Sequence, residues 1–185
     1  MSLKNPENAI RNQYANQGVE GYYREHGSDY TNPHFDQVRQ LLIQNRQRID
    51  YQSILDFSCG SGEVSQVIQE LGYALPTASD PFTSAAYHEK FKQRCLDYSF
   101  QDVIKGQLEG QFSAIICSFA MHLCPPKDLF PLVFQLFQHT SRLVIITPHK
   151  RPELSKLSRV DLDFEDFCLT ARGKKVRLRT YAATF

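Results

Sequence analysis

The chain is poor in features that would place it in a class at once. No window of its 185 residues approaches the apolar length of a membrane span, and its first residues lack an apolar leader core. A membrane or exported protein is therefore not expected, and a cytoplasmic location is. Neither sign of charge dominates, with 21 basic against 20 acidic residues and a formal net charge of +1. Whole-surface attraction to a polyanion is excluded, so a nucleic-acid partner is not expected, although a local basic patch stays open. The five cysteines (Cys59, Cys95, Cys117, Cys124 and Cys168) are odd in number and contain no CxxC pair. That pattern argues against a disulfide framework and a zinc site, and the thiols read as reduced core residues with no metal expected. Internal repeats and low-complexity segments are also missing.

What is present is an alternation of short apolar runs and amphipathic stretches. "SILDF" (53–57) reads as a strand, and Val64, Val67, Ile68 and Leu71 then share one helix face. "ALPTASD" (74–80) is a weaker strand, "FTSAAYHEKF" (82–91) a short helix and "RCLDYSF" (94–100) another strand. "FSAIICSF" (112–119) and "RLVIITP" (142–148) read as buried strands, with a helix between them opened by Pro125 and Pro126. Residues 35–48 have helical spacing, and residues 1–34 form a polar, tyrosine-rich arm. Apolar strands alternating with helices imply a parallel sheet covered on both faces. The end of the chain predicts a final strand pair around "ARGKK". In "VRLRTY", Val176, Leu178 and Thr180 would face the core, while Arg177, Arg179 and Tyr181 would face water. The basic strand end would protect a sheet edge.

The loop "SCGSGE" follows the first strand, at the rim where open parallel sheets bind ligands. Gly60 and Gly62 allow close approach to the backbone, and the next helix offers free N–H groups. A dinucleotide loop wants a third glycine or alanine where this chain has Ser65. Asp56, four residues before Gly60, would repel a pyrophosphate but attract an ammonium. Asp80, 20 residues after Gly60, suits a ribose diol. An amino acid joined to a nucleoside satisfies both acids.

At this point "ILDFSCGSGEVS" resembles the first motif of class I S-adenosylmethionine-dependent methyltransferases. "ASDPF" resembles their second motif, while "FSAIICSFAMHL" and "RLVIITP" resemble their fourth and fifth strands. The resemblance implies one domain over residues 1–185, with an arm or lid (1–34) and a Rossmann-like core (35–185). That core would be a three-layer sandwich on a mostly parallel seven-stranded sheet, one strand antiparallel near the C-terminal edge. It implies S-adenosylmethionine as cofactor, with Asp56 at its ammonium and Ser58, Cys59, Gly60 and Gly62 along its amino-acid part. Asp80 would take the ribose, with Pro81 and Phe82 against the adenine. Phe100, Gln101 or Asp102 would lie at the adenine amino group. Asp97 is the alternative register, and the distance of Asp102 to the fourth strand suits the family better. Ser118 and Phe119 would line the sulfonium, and His122 would be a candidate general base. Tyr14, Tyr22, Tyr23, Tyr30 and His34 would form a lid or the substrate entrance, the tyrosines offering cation–π contact to a sulfonium. Lys150 and Arg151 would meet an anionic substrate. Beside each role stands a plainer one: a loop cap for Asp56, a helix N-cap for Asp80, a structural hydrogen bond for His122, a helix cap for His34 and a solvated loop for Lys150 and Arg151. One departure from the family is the short segment after Pro148, where a full helix would be missing or reduced.

The pattern predicts a methyltransferase acting on a small molecule. The fourth-strand loop, "CSFA", lacks the Asn/Asp-Pro-Pro-aromatic sequence of amino-directed nucleic-acid methylases. The alternatives are an RNA or protein acceptor and a cofactor-binding module without catalysis. From another chemistry, a nicotinamide oxidoreductase is the runner-up.

Overall fold

The computed structural model describes residues 32–184. Among these, seven strands form one sheet in the order β3-β2-β1-β4-β5-β7-β6. The strands are β1 (Ile54–Phe57), β2 (Thr77–Ser79), β3 (Cys95–Leu96), β4 (Ala114–Ser118), β5 (Leu143–Thr147), β6 (Val160–Leu169) and β7 (Lys175–Ala183). The first five pair in parallel, and β7 runs antiparallel between β5 and β6.

Alternate residues of the strands feed two cores. Leu55, Phe57, Ile115, Cys117, Leu143 and Ile145 pack with Leu132, Val133, Leu136 and Phe137 of α5 (Pro126–Phe137). Ile54, Ala114, Ile116, Val144 and Ile146 pack on the other face. There they meet α1 (Phe35–Gln44) through Val38, Leu41 and Leu42, and α2 (Glu63–Glu70) through Val64, Val67 and Ile68. Covering both faces explains why the central strands β4 and β5 carry nearly unbroken apolar runs. Each fully buried Leu, Ile, Val or Phe stabilises by about 1.5–3 kcal/mol over its exposed state. No helix among the described residues is long and apolar enough to cross a membrane.

Two expectations change. "RCLDYSF" is a strand only at Cys95 and Leu96. Ser99 and Asp102 then form a reciprocal capping box that opens α4 (Phe100–Ile104). On β7, Arg179 and Tyr181 are buried at 8% and 1% exposure rather than wet. The reason is position: β7 is an interior strand, and Arg179 is held by the Glu165 carboxylate and the Lys150 carbonyl. The edge belongs to β6, whose exposed Asp161, Asp163 and Glu165 are acidic, so the basic strand protects no edge. After β5 there is only a short 3-10 turn, Leu154–Lys156, in keeping with the reduced helix read from the sequence.

Candidate functional site

The glycine loop leaves β1 at its carboxyl end. Ser58, Gly60 and Gly62 all have positive φ, at 56°, 54° and 80°. Gly62 permits the sharp entry into α2, and a Cβ there would lie 2.4 Å from Phe91 Cε2. Phe91 ends α3 (Ser84–Phe91), so the glycine lets loop and helix touch. Ser58 has no such excuse and is held left-handed at a cost, as is Phe119 (φ 58°) at the end of β4. These residues flank one rim of the sheet.

Asp56 is fully buried below the loop. Its Oδ2 accepts from the Ser65 backbone N–H (3.1 Å) and hydroxyl (2.6 Å), while Tyr87 donates to that hydroxyl at 2.8 Å. Burial pushes the Asp56 carboxyl up to about 8; the Ser65 hydrogen bonds oppose this, and Glu63 and Asp80 reinforce it.

Asp80 also converges on the glycine loop. Its Oδ2 accepts from the Gly60 N–H (3.1 Å), and Oδ1 accepts from the N–H groups of Phe82 (2.8 Å) and Thr83 (3.0 Å). Thr83 returns a bond from its hydroxyl to the Gly60 carbonyl at 2.7 Å. Asp80 thus ties the turn before α3 and is not its N-cap, which is Thr83, and a further acceptor site remains for a ligand. Pro81 and Phe82 stand half-buried beside it. Cys59 is buried, its Sγ 3.7 Å from that of Cys95. The Cys95 contact and burial hold its thiol well above the usual range, so it is loop packing and not a nucleophile.

The side chains expected at the adenine are engaged elsewhere. Phe100 packs on Phe57, ring centroids 5.7 Å apart, and Gln101 donates to Asp128 on α5 at 3.0 Å. Asp102 accepts from the Ser99 hydroxyl and the Ser99 backbone N–H at the capping box, which together hold its carboxyl below the usual range. Because β3 ends at Leu96, it is Asp97 that follows the strand directly, and its side chain is exposed.

Past β4, His122 sits in a short 3-10 turn with its ring centroid 4.2 Å from that of His149, which follows β5. Burial, helped by His149, lowers His122 to about 4, so its ring is neutral at physiological pH. His34 occupies the N-cap position of α1 but makes no side-chain cap; its ring stacks on Phe119 at 5.1 Å. Residues 32–34 thus cross from α2 to the end of β4, because the Asn32 N–H also donates to Glu63 at 3.0 Å. Lys150 and Arg151 are exposed beyond β5. Tyr14, Tyr22, Tyr23 and Tyr30 lie outside the described residues.

Among the described residues, the buried side-chain polar atoms without a hydrogen-bond partner are Asp56 Oδ1, Ser79 Oγ, Ser118 Oγ and His122 Nδ1. All belong to the carboxyl ends of β1, β2 and β4 or the turn after β4. Unsatisfied buried groups are costly, and these gather at one rim of the sheet.

No family model matches the chain. The uncharacterized protein C17A5.05c of Schizosaccharomyces pombe is 33% identical over 198 aligned positions, covering 83% of this chain and 80% of the relative. The chain belongs to the family of that protein. Its fold is that of the class I methyltransferases. Magnesium protoporphyrin IX methyltransferase from Synechocystis PCC 6803, crystallised with bound S-adenosylmethionine, superposes with a TM-score of 0.65 at 14% identity, over 100% of both chains. The N-methyltransferase NodS of Bradyrhizobium japonicum, in complex with S-adenosylhomocysteine, gives 0.65 at 11% identity over 87% of this chain and 96% of its own. Ribosomal protein L11 methylase of Lactobacillus delbrueckii gives 0.59 at 17% identity over 84% and 81%.

Within this fold, three further residues contribute that the sequence reading passed over. Ser65, noted only as a missing glycine, is the donor that fixes Asp56. Glu63 ties residue 32 and Ser61 to the start of α2. His149 was visible only as a neighbour of Lys150, and its pairing with His122 depends on β4 and β5 being adjacent. The Ser99-x-x-Asp102 spacing was the available signal that Asp102 caps a helix.

Proposed function

We propose that this chain is an S-adenosylmethionine-dependent methyltransferase acting on a small molecule. The reading is carried by the four unsatisfied polar atoms gathered at the carboxyl rim around the glycine loop. The residues fit the cofactor: Asp56 Oδ1 is a buried acceptor in need of a donor, as an ammonium would be. Ser58, Gly60 and Gly62 offer backbone to the amino-acid part, and Asp80 offers an acceptor to the ribose. Asp97, at the end of β3, takes the adenine amino group in place of Asp102. When bound, the cofactor supplies an electrophilic methyl group on a sulfonium.

The chain's part is to hold, orient and exclude water, which alone supplies much of the acceleration in such transfers. His122, neutral and half-buried, accepts the proton of an acceptor O–H or N–H. The balanced charge supports a small acceptor over a nucleic acid.

Calorimetry with S-adenosylhomocysteine and with NAD, side by side, tests the reading. The sulfur ligand should bind and the dinucleotide should not. Asp80→Ala should cost about 2 kcal/mol, roughly thirtyfold in affinity, since it removes hydrogen bonds to a charged acceptor. Unchanged affinity in that variant would overturn the ribose assignment.

A further inference from the structure

Among the described residues, the ionisable groups that act on the Asp56 carboxyl are acids from every neighbouring element, and no base bonds to it. From α2 comes Glu63, and from the end of β2 comes Asp80; both carboxylates disfavour its ionisation. From α3 comes the Tyr87 phenol, from the glycine loop the Cys59 thiol and from β4 the Cys117 thiol, each disfavoured in turn by an Asp56 charge. Lys90, on α3, reaches the loop but bonds the Ser61 carbonyl (3.0 Å) and Gln66 Oε1 (3.1 Å) instead of a carboxylate. Glu63 and Asp80 are themselves satisfied by neutral donors: Asn32 N–H and the Ser61 hydroxyl for one, three backbone N–H groups for the other. A fully buried carboxyl that, among the described residues, has one unpartnered oxygen and no ionisable group but acids acting on it keeps its proton until a cation arrives.

We propose that Asp56 is a proton-coupled cofactor clamp: its carboxyl holds a proton in the free protein and releases it when the cofactor's ammonium docks on Oδ1, with Ser65 and Tyr87 as the positioning residues that set the exchange. The inference rests on the cofactor reading above and adds the control of that site by pH. The exchange balances: one proton leaves Oδ1 for solvent, one ammonium hydrogen bond replaces it, and no covalent bond changes. Ser65 commits Oδ2 with two bonds, so Oδ1 is the atom presented to the ligand. Tyr87, by donating to the Ser65 hydroxyl, makes that hydroxyl donate onward to Asp56. The value of about 8 reached by this carboxyl agrees with the proton being present at neutral pH.

The experiment is titration calorimetry of the whole chain with S-adenosylhomocysteine at pH 7, in phosphate and in Tris, whose ionisation enthalpies differ. The heats should differ between the buffers by about one proton released per site. Affinity should fall about tenfold per pH unit below pH 8 and level off above it. Asp56→Asn should bind more weakly, show no buffer dependence and flatten the pH profile. Should that variant fail to fold, Ser65→Ala serves: losing the hydroxyl bond that favours the ionised carboxyl should weaken binding roughly tenfold at pH 7 and move the plateau to higher pH. Tyr87→Phe should move both in the same direction by less. A merely structural role for Ser65 or Tyr87 would lower affinity without moving the plateau. Identical heats in both buffers with wild-type binding intact would overturn the clamp and leave the cofactor reading standing. Proton release surviving in Asp56→Asn would also overturn it. No binding of S-adenosylhomocysteine at any pH would overturn the cofactor reading itself.

Discussion

Replacing Asp56 by asparagine should stabilise the unliganded protein, and should do so only towards alkaline pH. The free carboxyl has its ordinary value of 3.8, and full burial, with no countercharge bonded to it among the described residues, pushes it up to about 8 in the folded chain. The folded state therefore binds more protons than the unfolded state between these values. Stability must fall as pH rises through that window, the reverse of the ordinary paired carboxylate. Each tenfold change in proton affinity is about 1.36 kcal/mol, so the ionised group costs roughly 6 kcal/mol above pH 8 as an upper bound. Asparagine stays neutral, keeps an acceptor for the Ser65 donors and removes the pH-dependent part. Its amide nitrogen sits where Oδ1 was, costing about 1–3 kcal/mol at every pH for a buried unpaired donor. The variant should thus be less stable than wild type at pH 4 and more stable at pH 9. Urea unfolding followed by circular dichroism measures the difference, a suitable probe since the chain has no tryptophan. A difference that is the same at both pH values would refute the reasoning, since it would mean that the carboxyl ionises alike in both states.

Four other outcomes follow from the geometry. Gly62→Ala should destabilise by about 1–2 kcal/mol for the left-handed backbone alone, and by more because its Cβ would lie 2.4 Å from Phe91 Cε2; a thermal melt reads the loss. Asp97→Asn should weaken S-adenosylhomocysteine binding several-fold with the melting temperature unchanged. Asp102→Asn should do the reverse, lowering stability by about 1 kcal/mol through the lost cap while affinity holds. His122 is held below its ordinary value, to about 4, so the unfolded chain takes up its proton first on acidification. Stability should accordingly be lost as pH falls from about 6.5 towards 4, less steeply in His122→Gln, as denaturant titrations across that range would record.

Local patterns carried much of this molecule and stopped where pairing in space took over. The runs "ILDF", "AIICS" and "LVIIT" are strands because residues on both sides meet helices, and apolar runs report that directly. The alternation in "VRLRTY" misled, since alternation signals one wet face only for a strand at the surface. Here β7 is inserted between β5 and β6, and Arg179 is buried through its bonds to Glu165 and Lys150. The same holds at the rim. Asp56, Gly60, Gly62 and Asp80 are found from spacing because one loop and two strand ends bring them together. Ser65 and Tyr87 act through a chain that links α2 and α3, and His122 meets His149 across neighbouring strands. No window of sequence contains either pair.

Ser65 shows how the loop's departure from a dinucleotide pattern follows from its charge. A glycine or alanine at that position would leave the Asp56 carboxyl without its hydroxyl donor. The acid would then face Glu63 and Asp80 with only a backbone N–H to hold it. A pyrophosphate-binding loop has no such acid to hold and gains from a small residue that lets helix and strand close up. Here the serine fixes the orientation of the acid, and Tyr87 fixes the serine. The acids around the loop are bonded by neutral donors, with Lys90 turned to a carbonyl and an amide. A lysine or arginine placed among them would stabilise the free protein and compete with any cationic ligand for Asp56 Oδ1. Leaving the positive charge to the ligand makes binding and charge neutralisation the same event.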